Sequence, residues 1–152
     1  MVNLQAVKFQ IVISPRAILD DGSWTTVEID SEGFEYLTII CNLGANDIAV
    51  AVLKVQEATT TGGSFSDIDG AVFGTDTNIG GSTSTLPSDS DDNQLFIFEI
   101  DLKARKRFID LIATNGNGSV GGFMSAIAIL SRGKQLPITA ADRGASQILR
   151  VE

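Results

Sequence analysis

The side chains available for chemistry in this 152-residue chain are limited by the complete absence of histidine. Without an imidazole, the chain cannot build a Ser-His-Asp or Cys-His nucleophile or a histidine-based zinc site. The one cysteine, Cys41, lies in the apolar run YLTIICNLG, which indicates a small buried core residue, and there is no second thiol for a disulfide or a metal-ligand pair. Any catalysis would therefore depend on carboxylates or lysine.

Glu99 and Asp101 form the best-placed carboxylate pair, because they lie two residues apart on the predicted strand QLFIFEIDL. Such residues share a strand face at roughly 7 Å, a separation that suits the acid and base of a glycosidase. Charge on an exposed strand face explains the pair equally well, and no aromatic groove lies nearby in sequence. We therefore predict no catalytic residue at this position.

The run from Ser131 to Lys134 fits the S-x-x-K pattern of certain acyl-transfer enzymes. In those enzymes the lysine lies one helical turn from the serine, whereas here it follows a strand. The partner motifs S-D-N and K-T-G are both missing from the chain. We treat the match as chance, and we predict a protein without enzymatic activity or a cofactor.

A glycine-rich run, GNGSVG at 116–121, matches the G-x-G-x-x-G pattern and follows a predicted strand. A dinucleotide-binding loop must open a helix, but the continuation GFMSAIAIL has the period of a strand. Two Asn-Gly pairs are typical of a type I′ hairpin turn. The sequence therefore predicts hairpin chemistry here.

An acidic turn at 89–93 resembles the start of a calcium loop, with Asp89, Asp91 and Asn93 in alternate positions. The match fails because Gln94 stands where glycine is needed and Ile100 where a bidentate glutamate should close the site. We predict a solvated acidic turn and no metal site. A calcium site completed by Asp67 or Asp69 is the alternative.

Strand-like segments cover most of the chain. Three of them lie within residues 94–131: QLFIFEIDL, FIDLIAT and GGFMSAIAILS. We expect each strand to bury one face and expose the other to solvent. The basic turn KARKR and the glycine turn NGNG would join the three strands into an antiparallel meander. Earlier strands are predicted at 7–13, 24–29, 34–43 and 48–56, with a hairpin across 44–47. The third is apolar on both faces, which indicates a central strand covered on both sides.

Seven or eight strands predict an all-β fold, an antiparallel β-sandwich with the jelly roll as a suitable topology. We expect one sandwich domain at 1–136, a long polar loop or arm at 57–93 and an extended C-terminal tail at 137–152. Residues 65–74 could dock in the loop as a short strand or helical turn. In the tail, Pro137 ends the last strand, and Thr139 and Gly144 could cap one helical turn.

Charge excludes several partners. Nineteen acidic and eleven basic residues give a net charge of −8, so phosphate backbones and anionic membranes should repel the chain. No apolar run approaches the roughly 20 residues that cross a bilayer. The beginning of the chain lacks the pattern of a signal peptide, so we expect the protein to stay where it is made.

Two segments are candidates for protein contact. The basic turn KARKR either keeps a hairpin end in solution or docks on an acidic protein surface, and its cations are Lys103, Arg105, Lys106 and Arg107. The apolar ILRV segment of the tail could add to the sheet of another subunit, and it consists of Ile148, Leu149, Arg150 and Val151.

Several longer segments carry a family resemblance: FEYLTIICNLG, VAVLKVQEA, FSDIDGAVFG, LPSDSDDNQLFIFEIDLKARKRFIDLIATNGNG and MSAIAILSRGKQLPITAADRG. Together they resemble the capsid decoration, or cement, proteins of tailed bacteriophages. The resemblance implies a jelly-roll or related sandwich, made in the bacterial cytoplasm, that binds the outer surface of the virion capsid as a homotrimer. There it would clamp neighbouring subunits of the major capsid protein. It implies no site residues, so the contacts proposed for KARKR and ILRV come from the residues alone.

Two alternatives stay open. One is a carbohydrate-binding or adhesin-like sandwich of a phage appendage, which would need an exposed aromatic platform built from Trp24, Tyr36 or some of the eight phenylalanines. The other is a different head or tail completion protein of similar size and class.

Overall fold

The computed structural model describes residues 4–137 and 139–150 and shows two four-stranded antiparallel sheets packed face to face. The strands are β1 (Lys8–Ile13), β2 (Ile29–Asp30), β3 (Tyr36–Asn46), β4 (Val52–Ala58), β5 (Ser66–Val72), β6 (Leu95–Asp101), β7 (Phe108–Thr114) and β8 (Gly122–Ser131), with 3-10 turns at Leu4–Ala6 and Leu102–Ala104. Sheet I has the order β1-β8-β3-β6 and sheet II the order β2-β7-β4-β5. The prediction of an all-β antiparallel sandwich is confirmed.

The core lies between the sheets and follows the period of two along each strand. In β3 the side chains of Leu37, Ile39, Cys41 and Leu43 are fully buried, and in β7 Ile109 and Leu111 face them from sheet II. Each such aliphatic side chain contributes about 1.5–3 kcal/mol through its removal from water. Cys41 is the small buried residue that the sequence predicted, and burial raises the pKa of its thiol to about 12.

The predicted meander is wrong. Strands β6 and β8 belong to sheet I and β7 to sheet II, so none of the three pairs with another. The basic turn and the glycine turn therefore cross from one sheet to the other. An alternating pattern specifies which face of a strand is buried, but several partner strands can satisfy the same pattern.

The hairpin predicted across residues 44–47 is wrong for the same reason. Strand β3 continues through Asn46 in sheet I, and the chain then crosses to sheet II, where β4 begins at Val52. The strand predicted at 24–29 is also mostly absent, since only Ile29 of that stretch belongs to β2. Trp24 instead reaches β7 through a single backbone bond to the carbonyl of Ala113, at 3.0 Å.

The polar region at 57–93 is more ordered than one long arm. It contributes the last two residues of β4 and the edge strand β5, so of the two elements expected within 65–74 the short strand is the one that forms. Beyond β5 the chain forms a compact turn, in which Ser84 N donates to Asp76 O at 2.8 Å and Asn78 N donates to Ser82 O at 2.9 Å. Ile79 is fully exposed at its tip.

The tail begins with the predicted helical turn. Asp142 N donates to Thr139 Oγ1 at 3.1 Å, Arg143 N donates to Thr139 O at 3.2 Å, and Gly144 ends the turn with a φ of 73°. Arg143 is buried and donates to the carbonyl oxygens of Leu4 and Val7, while its own carbonyl accepts from Phe9 N at 2.8 Å. This part of the tail is therefore fixed against the free edge of β1.

Candidate functional site

The most unusual surface of the molecule is the outer face of sheet I, where four isoleucines form one row across all four strands. Ile11 pairs with Ile127, Ile127 with Ile40, and Ile40 with Ile97. The side chains of Ile11, Ile127 and Ile97 are 55%, 46% and 44% exposed, and Ile40 is half-buried. At about 4.8 Å per strand spacing, the row is roughly 14 Å wide.

The isoleucine row continues into an apolar patch on both sides. The exposed side chains of Leu95 and Phe123 lie towards one end of the strands, and Phe9 and Ile129 pair in the next row towards the other end. Within the described strands of sheet I, Glu99 and Asp101 are the only charged residues on this face, and both lie on the edge strand β6. Contiguous apolar surface of this kind marks an interaction site in most proteins.

Sheet II presents a different outer face. Lys54 forms an ion pair with Asp67 at 2.8 Å, and Gln56 donates to the same carboxylate at 2.7 Å. Asp110 accepts from Thr26 Oγ1 at 3.0 Å, and partial burial raises the pKa of its carboxyl. Polar groups thus cover sheet II while sheet I stays apolar, which distinguishes the two faces chemically.

The sequence contained a signal for this patch that period-two analysis missed. In β8 the buried positions Met124, Ala126 and Ala128 alternate mainly with large apolar residues, which are Phe123, Ile127 and Ile129, and Ser125 is the polar exception between them. The face of β8 that was expected to be polar and hydrated is therefore mostly apolar. Strand β3 is central in sheet I as predicted, but the side bearing Ile40 remains uncovered among the described residues.

The predicted contact residues of the basic turn are largely occupied within the molecule. Arg107 forms a bidentate pair with Asp30, at 2.7 and 2.8 Å, and also reaches Glu32 at 2.7 Å. The hydrogen bond from Arg107 lowers the pKa of the Asp30 carboxyl. The guanidinium also lies 5.0 Å from the centre of the Phe108 ring.

Two other residues of the turn contact Glu57, a mostly buried carboxylate near the end of β4. Arg105 approaches Glu57 Oε1 at 3.6 Å, and the backbone N–H of Lys106 donates to Oε2 at 2.9 Å. The Lys106 ammonium donates to Ser66 Oγ at 3.1 Å. Lys103 is exposed and forms no ion pair with any described residue. The docking role of this turn stays a prediction, and Lys103 is its most accessible cation.

The ILRV segment is exposed. Leu149 is 94% and Ile148 39% exposed, Arg150 is exposed as well, and Val151 lies outside the described residues. Within the described chain no hydrogen bond or ion pair involves residues 146–150. The segment is therefore available for a contact outside its own subunit.

A groove with a volume of about 380 Å³ runs along the edge strands β5 and β6. Each of these strands has a neighbour on one side only, so both present free edges. Phe73 and Phe98 pack edge to face at the base of the groove, with ring centroids 4.9 Å apart. Its remaining lining includes Tyr36, Gly70, Ala71, Val72, Asp76, Thr77, Asn78, Ile79, Ser84, Ile97, Glu99 and Ile100.

Glu99 and Asp101, the carboxylate pair considered for glycosidase chemistry, lie in two different environments. Asp101 accepts from Lys103 N at 2.9 Å and thereby caps the 3-10 turn Leu102–Ala104. Glu99 instead lines the groove beside β6. Asp101 thus has a structural role, and Glu99 is free to act as a contact residue.

The glycine-rich run holds an anion, but the anion is the protein's own Asp47. The backbone N–H groups of Ser119, Val120 and Gly121 donate to its carboxylate at 2.7, 2.6 and 2.9 Å. These bonds lower the pKa of Asp47, with the Ser119 N–H as the largest cause. A side chain at Gly118 would place its Cβ 2.4 Å from the carboxylate. The predicted hairpin is wrong, because the run closes over a side chain on the path between two sheets.

The acidic turn uses its carboxylates on nearby backbone. Asp91 accepts from Ser88 N and Ser88 Oγ at 2.8 and 2.7 Å, and these bonds lower the pKa of its carboxyl. Asp92 accepts from Asn46 N at 2.9 Å. Among residues 4–137 and 139–150, no three Asp, Glu or Cys side chains are close enough to hold a metal ion. No helix within these ranges is long and apolar enough to cross a membrane.

Comparison of the chain with protein-family models, with curated proteins and with solved structures gave no significant match.

Proposed function

We propose that this protein is a structural virion protein that binds the outer surface of a bacteriophage capsid and stabilises it by clamping neighbouring subunits of the major capsid protein. The apolar outer face of sheet I, with its row of four isoleucines, is the observation that carries the proposal. On a capsid lattice many identical weak contacts act together, so no single contact needs high affinity. The resemblance of the long segments to cement proteins supports the same function.

The charge distribution supports attachment through sheet I. The chain carries a net charge of −8, yet the only charged residues that the described strands of sheet I present on its outer face are Glu99 and Asp101, on one edge, and Arg132 lies over Tyr36 near the same end. A face with few charges can be dehydrated at low cost, because burying unpaired charge is strongly unfavourable. The acidic remainder of the surface would then face solvent, away from the packaged DNA.

We further infer that the sandwich is a jelly roll. Strand β1 pairs with β8, β2 with β7, β3 with β6 and β4 with β5. This is the pattern expected when one long antiparallel hairpin folds over into two sheets, and it is the topology anticipated for a decoration protein.

The test compares two isoleucine substitutions on the outer faces of interior strands. Ile127→Glu places a charge in the centre of the apolar patch, and Ile112→Glu places the same charge on β7 in sheet II. Loss of one buried isoleucine contact, worth about 1.5–3 kcal/mol, should weaken attachment roughly tenfold or more for Ile127→Glu. Occupancy is measured on purified capsids that lack the protein.

Circular dichroism and thermal unfolding establish that both variants fold before occupancy is compared. We expect Ile112→Glu to bind as the unchanged protein does. Equal occupancy for Ile127→Glu and the unchanged protein would rule out sheet I as the attachment face. Cryo-electron microscopy of decorated particles should show density repeated over the whole shell, whereas density at one vertex or along the tail would identify a completion protein instead.

The carbohydrate-binding alternative needs an exposed aromatic platform. Trp24 is only 5% exposed, and the Arg132 guanidinium lies over the Tyr36 ring at 5.8 Å. Phe73 and Phe98 pack against each other at the base of the groove. These arrangements favour the structural role, and binding to a glycan array would reverse that preference.

A further inference from the structure

The free edge of β6 is built to receive another strand. Its backbone pairs with β3 on one side only, and the groove lies along the other side. Ile97 and Glu99 lie on the outer face of this strand, while Phe98 and Ile100 point towards the core side of the groove. An added strand would therefore meet an apolar side chain and a carboxylate on one face and two apolar side chains on the other.

The ILRV segment has the matching alternation. In an extended chain, Ile148 and Arg150 project to one side and Leu149 and Val151 to the other. One side thus carries an apolar group and a cation two residues apart, and the other side is wholly apolar. Ile148, Leu149 and Arg150 are exposed and unbonded in the described structure.

Only one strand direction satisfies both faces. In a parallel register Ile148 lies beside Ile97 and Arg150 beside Glu99, while Leu149 lies beside Phe98. In an antiparallel register that pairs Arg150 with Glu99, Ile148 falls beside Asp101. Charge complementarity and apolar contact therefore both favour parallel addition.

The segment cannot reach β6 of its own subunit. The chain leaves the edge of β1 at Gly144, and four residue steps of at most about 3.6 Å bring Ile148 no further than roughly 14 Å away. Strands β1 and β6 are the opposite edges of sheet I, so a strand beside β6 lies four spacings of about 4.8 Å, or roughly 19 Å, from β1. The occupant must come from a second copy.

We propose that residues 148–150 of one copy add as a parallel strand to the free edge of β6 in a second copy. Donor segment and acceptor groove lie at opposite edges of the same sheet, so every copy can give one segment and accept another. Such head-to-tail contacts close into a ring when the rotation between copies permits, and a trimer is the smallest such ring above a dimer. This association does not depend on capsid binding.

A charge exchange tests the predicted pair. Arg150→Glu and Glu99→Arg should each weaken self-association roughly tenfold, because each places like charges side by side. The double variant restores an opposite pair and should recover most of the loss. Sedimentation equilibrium measures the association, and a monomeric unchanged protein, or a double variant as weak as the singles, would overturn the proposal.

A cysteine pair tests the register directly, since the only natural cysteine is buried. Arg150→Cys combined with Glu99→Cys should yield disulfide-linked oligomers on mild oxidation. The control, Arg150→Cys with Leu95→Cys, moves the acceptor four residues along β6, about 13 Å, beyond the reach of roughly 7 Å between the Cα atoms of a disulfide. Linked monomers, or equal linking in the control, would refute the assignment to a second copy in this register.

Discussion

The carboxylate of Asp47 occupies the position that a bound anion would take in a glycine-rich loop. Three successive backbone N–H groups converge on it from the loop, and Gly118 leaves the space that it needs. A motif associated with phosphate binding here performs an internal task, because the geometry that binds phosphate binds any anion of suitable size. Asp47 thereby ties the crossing between β3 and β4 to the crossing between β7 and β8.

The Asp47 contact predicts a dependence of stability on pH. Because the pKa of Asp47 is lowered in the folded state, its ionised form stabilises the fold above the unfolded pKa of about 3.9. That contribution is lost as the pH falls through the lower, folded pKa. We expect Asp47→Asn to unfold at lower urea concentration at pH 7, and the difference from the unchanged protein to shrink in strong acid.

The matched control for Asp47 is Asp89→Asn. Asp89 is an exposed acid of similar size with no hydrogen bond to its carboxylate among the described residues. The Asp89→Asn variant should unfold at the same urea concentration as the unchanged protein, both at pH 7 and in strong acid. If the difference in unfolding urea concentration between Asp47→Asn and the unchanged protein were as large in acid as at pH 7, the loss of stability would have a cause other than the ionised carboxylate.

At the scale of elements, the tail is divided into a fixed part and an exposed part. Residues 139–145 form one turn that Arg143 fastens to the edge of β1, and the segment after it has no contact of this kind. The fixed part determines where the ILRV segment leaves the subunit. That point of departure is what places the acceptor groove on a second copy.

Gly144 is required at this junction for two separate reasons. Its φ is 73°, which costs an ordinary residue about 1–2 kcal/mol, and a Cβ there would lie 1.8 Å from the Phe9 carbonyl oxygen. Gly144→Ala should therefore detach the tail from β1 and speed hydrogen exchange at the Phe9 amide. The same variant should reduce self-association, because the donor segment loses its fixed starting point.

Gly81→Ala separates the two causes. Gly81 also has a positive φ, 85°, but no atom lies within 4 Å of the site where its Cβ would be. Gly81→Ala therefore has the conformational cost of a positive φ without a steric clash of the added Cβ. Hydrogen exchange at the Phe9 amide should not change in this variant. If both variants behaved alike, the close approach of Gly144 to β1 would not matter.

At the scale of the whole molecule, sheet I provides two adjoining surfaces for contact, which meet at Ile97. Its outer face carries the isoleucine row proposed for capsid attachment, and its β6 edge carries the groove proposed for a second copy. Sheet II presents charged and polar groups instead. Both proposed contact surfaces thus lie on one of two sheets with similar architecture.

The two surfaces should be separable by mutation. Ile127→Glu should lose capsid occupancy and keep its oligomeric state, because Ile127 lies two strands away from the β6 edge. Arg150→Glu should lose self-association and, through reduced multivalency, bind capsids more weakly while retaining some occupancy. Loss of both properties in Ile127→Glu would mean that the surfaces act as one.

The sequence by itself determined the class of fold, because alternation of apolar side chains follows from the two-residue repeat of a strand. It also indicated the turn from Thr139 to Gly144, and it placed a docked element within 65–74 without deciding between a strand and a helical turn. It did not determine pairing, since β6, β7 and β8 satisfy their patterns equally well in one sheet or in two. Which strands pair depends on how the apolar faces of the two sheets can pack together around a common core.

Only the tertiary structure revealed the candidate surfaces. The isoleucine row comes from four strands far apart in sequence, and the partners of Arg107 and Glu57 lie 77 and 49 residues away. Local sequence showed that these side chains were apolar, basic or acidic, but their exposure depends on what the rest of the chain covers. Long-range contact thus left the apolar face open and neutralised most of the basic turn.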